Sequence, residues 1–524
     1  MTTLNLAVPL QLTIALVPDL ILMGGAMVLL IWAAWKPETE RHQRTVGIAC
    51  IAVCVVTIAF VFFYFGRYEV GPGPIAYDNF RWEMDLIILL GTVFTIALSI
   101  DDNGRTGMVA AESHVLVLLA SSGMMLLAAA RDLMIVFLGI ELMSIAVYAL
   151  AGMNRRSERS AEGALKYFLL GAFSTAFLLY GIALVYGATG TTSLTLIGGR
   201  INILGLTGSP LLAVGIALML IGFGFKVATV PFHMWAPDVY DGAPSPITAY
   251  MAATVKAAAF AAFIRVWLEA FPVSFREWHP AVSGLAVATM VAGNAIGLAQ
   301  RNIKRLLAYS SIGHAGYLLV AVAAGTFQAS SALLFYLFVY TLATFGAFAV
   351  IVALTPESDP AGPVMIDDFS GLWSVRPWLA FSMSVLMLAL LGFPVFGGAG
   401  FFAKWYVLQA ALQASRPQTM LAVVLVLTTV VSAGYYLYVV MVMFMRPRSA
   451  EAPVPPRTAW LTRTVLVTSV VAILALGILP DYFFRVARAG RPQAEPVPVT
   501  TQISDGGAAR NTAPNGVAAP APNR

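Results

Sequence analysis

The sequence predicts an all-α polytopic membrane protein with about fourteen transmembrane helices, two of them interrupted. Three observations carry this expectation. Hydrophobic residues make up 59% of the chain and charged residues only 11%, a balance that soluble domains do not reach. Apolar runs of helix length follow one another almost from end to end. Basic residues also crowd into alternate loops, as they do where loops face alternate sides of a bilayer. The net charge of +5 therefore reports topology, with the lipid bilayer as partner and no sign of nucleic acid.

The runs fall at 11–35, 45–66, 82–100, 112–130, 132–153, 162–187 and 211–230, then at 244–270, 281–299, 303–324, 329–354, 377–412, 419–445 and 459–480. The opening MTTLNLAVPLQLTIAL has no basic leader region and reads as part of the first helix. Loops bearing Lys36/Arg41/Arg44, Arg105, Arg155/Arg156/Arg159, Arg301/Lys304/Arg305, Arg376 and Arg446/Arg448/Arg457/Arg463 mark one side as inner, which puts both termini on the outer side. Cys50 and Cys54 lie one turn apart in an apolar run and read as packing residues. The Pro/Ala-rich stretch 485–524 reads as a disordered tail.

The ionisable residues inside the runs hold the functional signal. Only six of the 31 basic residues are lysines, yet Lys166, Lys226, Lys256 and Lys404 all fall within apolar segments. A charge at mid-bilayer costs about 2.5–3.5 kcal/mol even on lenient scales. Lysine can release its proton where arginine cannot, so this choice points to proton movement. Lys166, close to a helix start, also fits a snorkelling cation.

The stretch 222–266 carries Lys226, then Pro231, His233, Pro237, Pro244 and Pro246, then Lys256. Prolines there remove backbone donors that lipid cannot replace, so protein or water must surround the break. His233 lies between the two lysines as a candidate proton carrier or as a brace for the break. Glu141 is the one carboxylate in a deep mid-span position, with Lys166 or Lys226 as its expected counter-ion. Asp19, Asp85 and Asp132 read as helix-start residues, and Arg265 with Glu269 as a helix-surface pair. His314, beside Tyr309, Ser310 and Ser311, is a further candidate for the relay. In the run 377–412, Gly392, Pro394, Gly397, Gly398 and Gly400 break the helix just ahead of Lys404. Two broken runs five spans apart, each with a buried lysine, predict two inverted five-helix repeats. The expected organisation is 1–110 for helices one to three, 111–271 for the first repeat, 280–446 for the second, 447–484 for a last helix and 485–524 for the tail.

Several motifs extend this reading. PFHMWAPDVYDGAPSPITAY, the EL-x-S-x-x-x-Y that starts at Glu141, ALKYFLLGAFSTAFLLYG and IKRLLAYSSIGHAGY resemble the subunit N family of bacterial respiratory NADH:quinone oxidoreductase (complex I). The mitochondrial relatives of that family are the NADH dehydrogenase subunit 2 chains. The likeness runs from the fourth span through the thirteenth. Two departures stand out: Asp241 sits where glutamate is commoner, and the spacing ahead of Lys404 is about two residues longer than the family's.

The resemblance implies an antiporter-like, proton-translocating subunit of the membrane arm in the cell inner membrane. It places Glu141, Lys166, Lys226, His233, Lys256 and Lys404 on a buried hydrophilic axis. It implies as partners the other membrane-arm subunits, sister antiporter-like chains included. NADH, FMN, iron–sulfur clusters and quinone would be used by partner subunits, with no cofactor on this chain, in keeping with the lack of any phosphate-binding or iron–sulfur fingerprint. Competing expectations are a subunit of a multi-subunit Na⁺/H⁺ antiporter and a purely structural membrane-arm subunit.

Overall fold

A computed structural model describes residues 7–36, 39–65, 73–355, 362, 364–395, 398–448 and 457–489. Among these, twelve helices are long and apolar enough to cross a membrane. Two shorter apolar helices, Pro210–Lys226 and Pro377–Leu391, open the two interrupted spans and complete the fourteen runs. The elements are α1 (Ala7–Trp35), α2 (Glu40–Tyr64), α3 (Asn79–Thr106), α4 (Ala111–Ala128), α5 (Leu133–Ala151), α6 (Glu158–Thr189), the connecting α7 (Leu194–Ile203), α8 (Pro210–Lys226) and α9 (Ala236–Gly242). There follow α10 (Ser245–Glu269), α11 (Phe275–Gly297), α12 (Ile303–Ala324), α13 (Phe327–Leu354), α14 (Pro377–Leu391), α15 (Gly398–Leu412), α16 (Thr419–Met445), α17 (Trp460–Ile478) and α18 (Pro480–Ala489).

The helices form an inner set and an outer set. The apolar stretch of α10 is buried along its whole length, and α12 and α13 are buried over 94% and 89% of theirs, against 39% for α6, α11 and α16. The outer helices turn apolar faces outward, as a chain solvated by lipid requires. Close crossings depend on small residues. A side chain on Gly139 would come within 2.9 Å of the main chain of Leu127 on α4, and one on Gly293 within 2.5 Å of Gly313 nitrogen on α12.

Several helix starts are capped by a side-chain acceptor, although Ser193, Ser209 and Ser274, ahead of α7, α8 and α11, make no such bond. Asp132 accepts from Met134 nitrogen (2.8 Å), and Asn302 accepts from Lys304 nitrogen (2.9 Å) and Arg305 nitrogen (3.2 Å). Asp78 caps α3 by accepting from Arg81 nitrogen (2.8 Å). α10 carries a π-helical turn, Met251–Val255, immediately before Lys256.

Two expectations need correction. Arg265 and Glu269 do pair (3.1 Å), but not on a surface: Arg265 is fully buried and also grips Asp78 at 2.7 and 2.9 Å. They belong to a charged cluster at the end opposite the basic loops. There Arg131 meets Glu269 (3.2 Å), and Arg81 binds Asp19 and lies 3.4 Å from Asp85. The i,i+4 spacing showed which side chains meet but not that α3 covers them. Asp19 and Asp85 therefore serve this cluster, and neither caps a helix. The second correction concerns the tail. Helix α18 continues through Ala489, because Phe484 stacks on Tyr406 (3.6 Å between ring centres) and Asp481 accepts from the Tyr406 hydroxyl (3.1 Å). The rest of the expected tail, and Gly397 of the second break, lie outside the described residues.

Candidate functional site

The first half of the site forms where α8 stops. Glu141, Ser144 and Tyr148 are three and seven residues apart on α5, so they share one face. Lys226 is the last residue of α8 and donates to the Ser144 hydroxyl (2.7 Å) and the Tyr148 hydroxyl (3.2 Å). Ser144 passes its own hydrogen to the carbonyl of Ile140. The Lys226 nitrogen also stands 5.5 Å from the centre of the Tyr148 ring. Lys226 is thus buried with hydroxyl and ring partners in place of a counter-ion.

The expected contact of Glu141 with Lys226 or Lys166 is not made. Glu141 is half-buried beside the exposed strip of Leu138 and Ile145, and no ion pair joins it to either lysine. It lies on the same face of α5 as Ser144 and Tyr148, the two residues that hold Lys226. Lys166 instead pairs with Glu162 (2.7 Å) and Asp238 (2.9 Å), with 41% of its side chain exposed. Asp238 also takes Arg305 (2.8 Å), so α6, α9 and α12 are tied at the basic end. Lys166 therefore has the surroundings of a snorkelling cation.

Between α8 and α9 the chain turns sharply. Ala228 has φ 58°, a left-handed conformation that costs a non-glycine residue about 1–2 kcal/mol. Local bonds hold it: Thr229 nitrogen donates to Gly224 oxygen (2.8 Å), Trp235 Nε1 to Phe225 oxygen (3.2 Å), and Val230 nitrogen to the Thr289 hydroxyl (3.0 Å). The carbonyls freed at the end of α8 are satisfied in this way. His233 sits half-buried in the turn, its Nδ1 without a partner, and no hydrogen bond connects it to Lys226 or Lys256.

The second half of the site is a line of polar side chains. Lys256 donates to the Ser311 carbonyl (2.7 Å) and to the Ser311 hydroxyl. One turn along α12 lies His314, with Nδ1 2.6 Å from the Tyr336 hydroxyl and Nε2 3.0 Å from the Tyr436 hydroxyl. Tyr436 also bonds Ser310. His314, Tyr336 and Tyr340 share with Lys404 a cavity of ≈ 10 Å³, roughly the space that one water needs. Lys404 donates to the carbonyl of Leu391, the last residue of α14 (2.8 Å), and stands 4.6 Å from the Tyr317 ring centre. Tyr317 is fixed in turn by Asn294 (3.1 Å), which accepts from Tyr435 (2.9 Å). Lys256, Ser311, His314 and Lys404 thus stand in sequence across the membrane interior.

Of the residues singled out from the sequence, the structure brings Lys256, His314 and Lys404 together and sets Lys226 with Ser144 and Tyr148. It leaves Glu141, Lys166 and His233 outside direct contact with the buried lysines. The sequence reading missed Tyr336, Tyr340, Tyr436 and Asn294. The signal available was a hydroxyl or amide in an otherwise apolar run, which packing alone does not require.

This arrangement has counterparts. The profile of the family described as NADH:quinone oxidoreductase/Mrp antiporter, TM, matches residues 130–432, more than half of the chain. A protein of Gemmatimonas aurantiaca named NADH-quinone oxidoreductase subunit N is 52% identical over 492 residues, covering 92% of this chain and 94% of its own. A namesake from Trichlorobacter lovleyi is 42% identical over 478 residues, covering 90% and 96%. A chain of respiratory complex I from Thermus thermophilus with bound aureothin superposes with TM-score 0.75 at 36% identity, over 90% of this chain and all of that one. A chain of the Mrp complex from Dietzia shares the fold, with TM-score 0.78 at 21% identity over 91% and 97%.

Proposed function

Since the chain belongs to the NADH:quinone oxidoreductase/Mrp antiporter family of membrane subunits, we propose that it translocates protons in the membrane arm of an NADH:quinone oxidoreductase, in the place subunit N holds in its relatives. The observation that carries this reading is the column of buried lysines joined by Ser311, His314 and one water-sized cavity. A helix bundle that needed only to pack would not carry three lysines to its centre.

The basic loops set the inner side of the cell inner membrane, with both termini outside. Two inverted repeats, 111–271 and 280–446, contribute one interrupted span each. A carboxylate near Lys226 supports its ammonium form, and movement of Glu141 on α5 gives or withdraws that support. A proton released by Lys226 travels through the turn around His233 to Lys256, then by Ser311 and His314 to Lys404 and the outer side. Lys166, at the inner surface, holds the ends of α6 and α9 and supplies charge there. Moving one proton outward against 100 mV costs about 2.3 kcal/mol, which this chain has no cofactor fingerprint to supply. The energy comes from NADH oxidation and quinone reduction in partner subunits that hold FMN and the iron–sulfur clusters. The alternative, a subunit of a multi-subunit Na⁺/H⁺ antiporter, is less supported: the Mrp chain shares the fold at 21% identity, the complex I chain at 36%.

The test is Lys226→Arg in inside-out vesicles, with assembly checked on native gels. Arginine keeps the charge but not the removable proton. Acidification and NADH:quinone turnover should both fall sharply. Unchanged pumping per NADH in an assembled complex would remove Lys226 from the relay.

A further inference from the structure

A small cavity at the basic end holds charges that the relay above does not use. It lies where the last turn of α3, the loop before α6, the junction of α9 with α10 and the first turn of α12 meet. Its lining includes Asp102, Asn154, Asp241, Ser245, Lys304 and Thr355. The ≈ 30 Å³ open to water centres holds about two waters.

Asp102 and Lys304 both face this space, and both are buried, at 5% and 7% exposure. Opposite charges so placed would be expected to touch, yet they form no ion pair. Lys304 Nζ donates instead to the carbonyls of Asp241 (3.0 Å) and Ala243 (2.7 Å). The Asp102 carboxylate has no protein donor among the described residues. A buried carboxylate without a donor needs water or a proton, and the cavity is where water can stand.

The neighbouring charges are already engaged. Asp101 accepts from Thr462 nitrogen (2.8 Å) and hydroxyl (2.9 Å), Asp241 accepts from Asn302 (2.8 Å), and Arg105 donates to the carbonyls of Val352 and Thr355. Arg159 adds positive charge near Lys304. Further polar groups lie inward of the cavity. Lys304 and Ser311 lie two turns apart on α12, about 10.5 Å of helix rise, and Ser311 holds Lys256. Beside Ser311 stands Tyr240, with its side chain buried.

We propose that this cavity is the inlet through which protons enter from the inner aqueous phase, with Asp102 and Lys304 as its proton-handling pair. Asp102 takes a proton from cavity water. Lys304 gives one of its own inward, by way of Tyr240 and Ser311, toward Lys256. The neutral amine left behind regains a proton from Asp102 across the intervening water. One proton enters, one leaves, and the pair returns to its starting charge. The proposal rests on the reading of the chain as a proton-translocating subunit. It gives a task to α3, which lies ahead of the segment that the family profile matches.

The test uses inside-out vesicles of the assembled complex, whose inner face is exposed to the medium. Asp102→Asn should lower acidification per NADH oxidised at least about tenfold, the usual order for loss of a general acid–base group. The loss should deepen as medium pH rises, and Asp102→Glu should restore it. Asn154→Phe fills the cavity from a surface loop without changing a titratable group, and should cause the same loss if Asp102→Asn does not assemble. Full pumping with a parental pH profile in these variants, while Lys226→Arg still abolishes it, overturns the inlet alone. Full pumping in Lys226→Arg and in Lys256→Arg as well overturns the proton-translocation reading on which the inlet depends.

Discussion

The two interrupted spans hold a lysine at the end of a half-helix, but they do so from opposite directions. Lys226 closes α8 itself and gives its hydrogens to the side chains of Ser144 and Tyr148 on α5. Lys404 belongs to the second half, α15, and reaches back to the main-chain carbonyl of Leu391. Both ammonium groups sit at the C-terminal, negative end of a helix. The difference lies in what can move. Lys226 depends on replaceable side chains and has Glu141 close by, so its surroundings change whenever α5 shifts. Lys404 depends mainly on backbone and on the Tyr317 ring, with no acid in its column. The first site is built to be adjusted and the second to stay fixed.

The sharpest break of that comparison is steric. A side chain on Gly400 would lie 1.7 Å from the carbonyl oxygen of Ala389, which is main chain and cannot turn away. Gly400→Ala should cost about 3 kcal/mol or more, and the subunit should be missing from the assembled complex on native gels. At Gly224 of the first break the nearest atoms are side-chain ends of Phe232 and Thr229, both at 2.9 Å. Gly224→Ala should cost about 1 kcal/mol and still assemble. Equal assembly of the two variants would show that backbone closure does not set the second break apart.

A weaker contrast concerns the lysine partners. Tyr148→Phe or Ser144→Ala removes a hydrogen bond to a charged group, worth about 1.5–3 kcal/mol, and should cut acidification per NADH by roughly tenfold. Tyr317→Leu removes a cation–π contact worth about 0.5–2 kcal/mol, so its loss should be smaller in the same assay. The reverse order would make the second site the adjustable one. Smallest of all, Thr229→Val deletes the hydroxyl bond to Gly224 oxygen (3.2 Å) and should lower the thermal midpoint by the equivalent of about 1 kcal/mol.

Much of this was legible in the chain itself. The apolar runs gave the spans, the prolines and glycines gave both breaks, and EL-x-S-x-x-x-Y put Glu141, Ser144 and Tyr148 on one helix face. The misses have a common cause. Charge alone suggested that Glu141 would meet Lys166 or Lys226, yet Lys226 took the hydroxyls one and two turns along α5 and Lys166 took Glu162 and Asp238. Tyr436 lies 122 residues from His314, and Asp78 lies 187 from Arg265, so no local pattern could pair them. Tyrosine within an apolar run reads as packing until its hydroxyl is seen to have a partner. The π-helical turn before Lys256 has no mark in the sequence, Lys304 read only as part of a basic loop, and nothing local singles out Asp102.

That π-helical turn acts mechanically. Near its far end, α10 is clamped through Arg265 to Asp78 and through Glu269 to Arg131, so it behaves as a beam fixed on one side. Its near end, Ser245–Tyr250, begins at the cavity beside Lys304. The wide turn between them interrupts the α-helical bonding of the beam, and Lys256 is mounted directly behind it. A push on the near end cannot slide the whole helix. Taken up as twist at that joint, it turns Ser245–Tyr250 about the helix axis, while Lys256, on the clamped side, stays with the clamp.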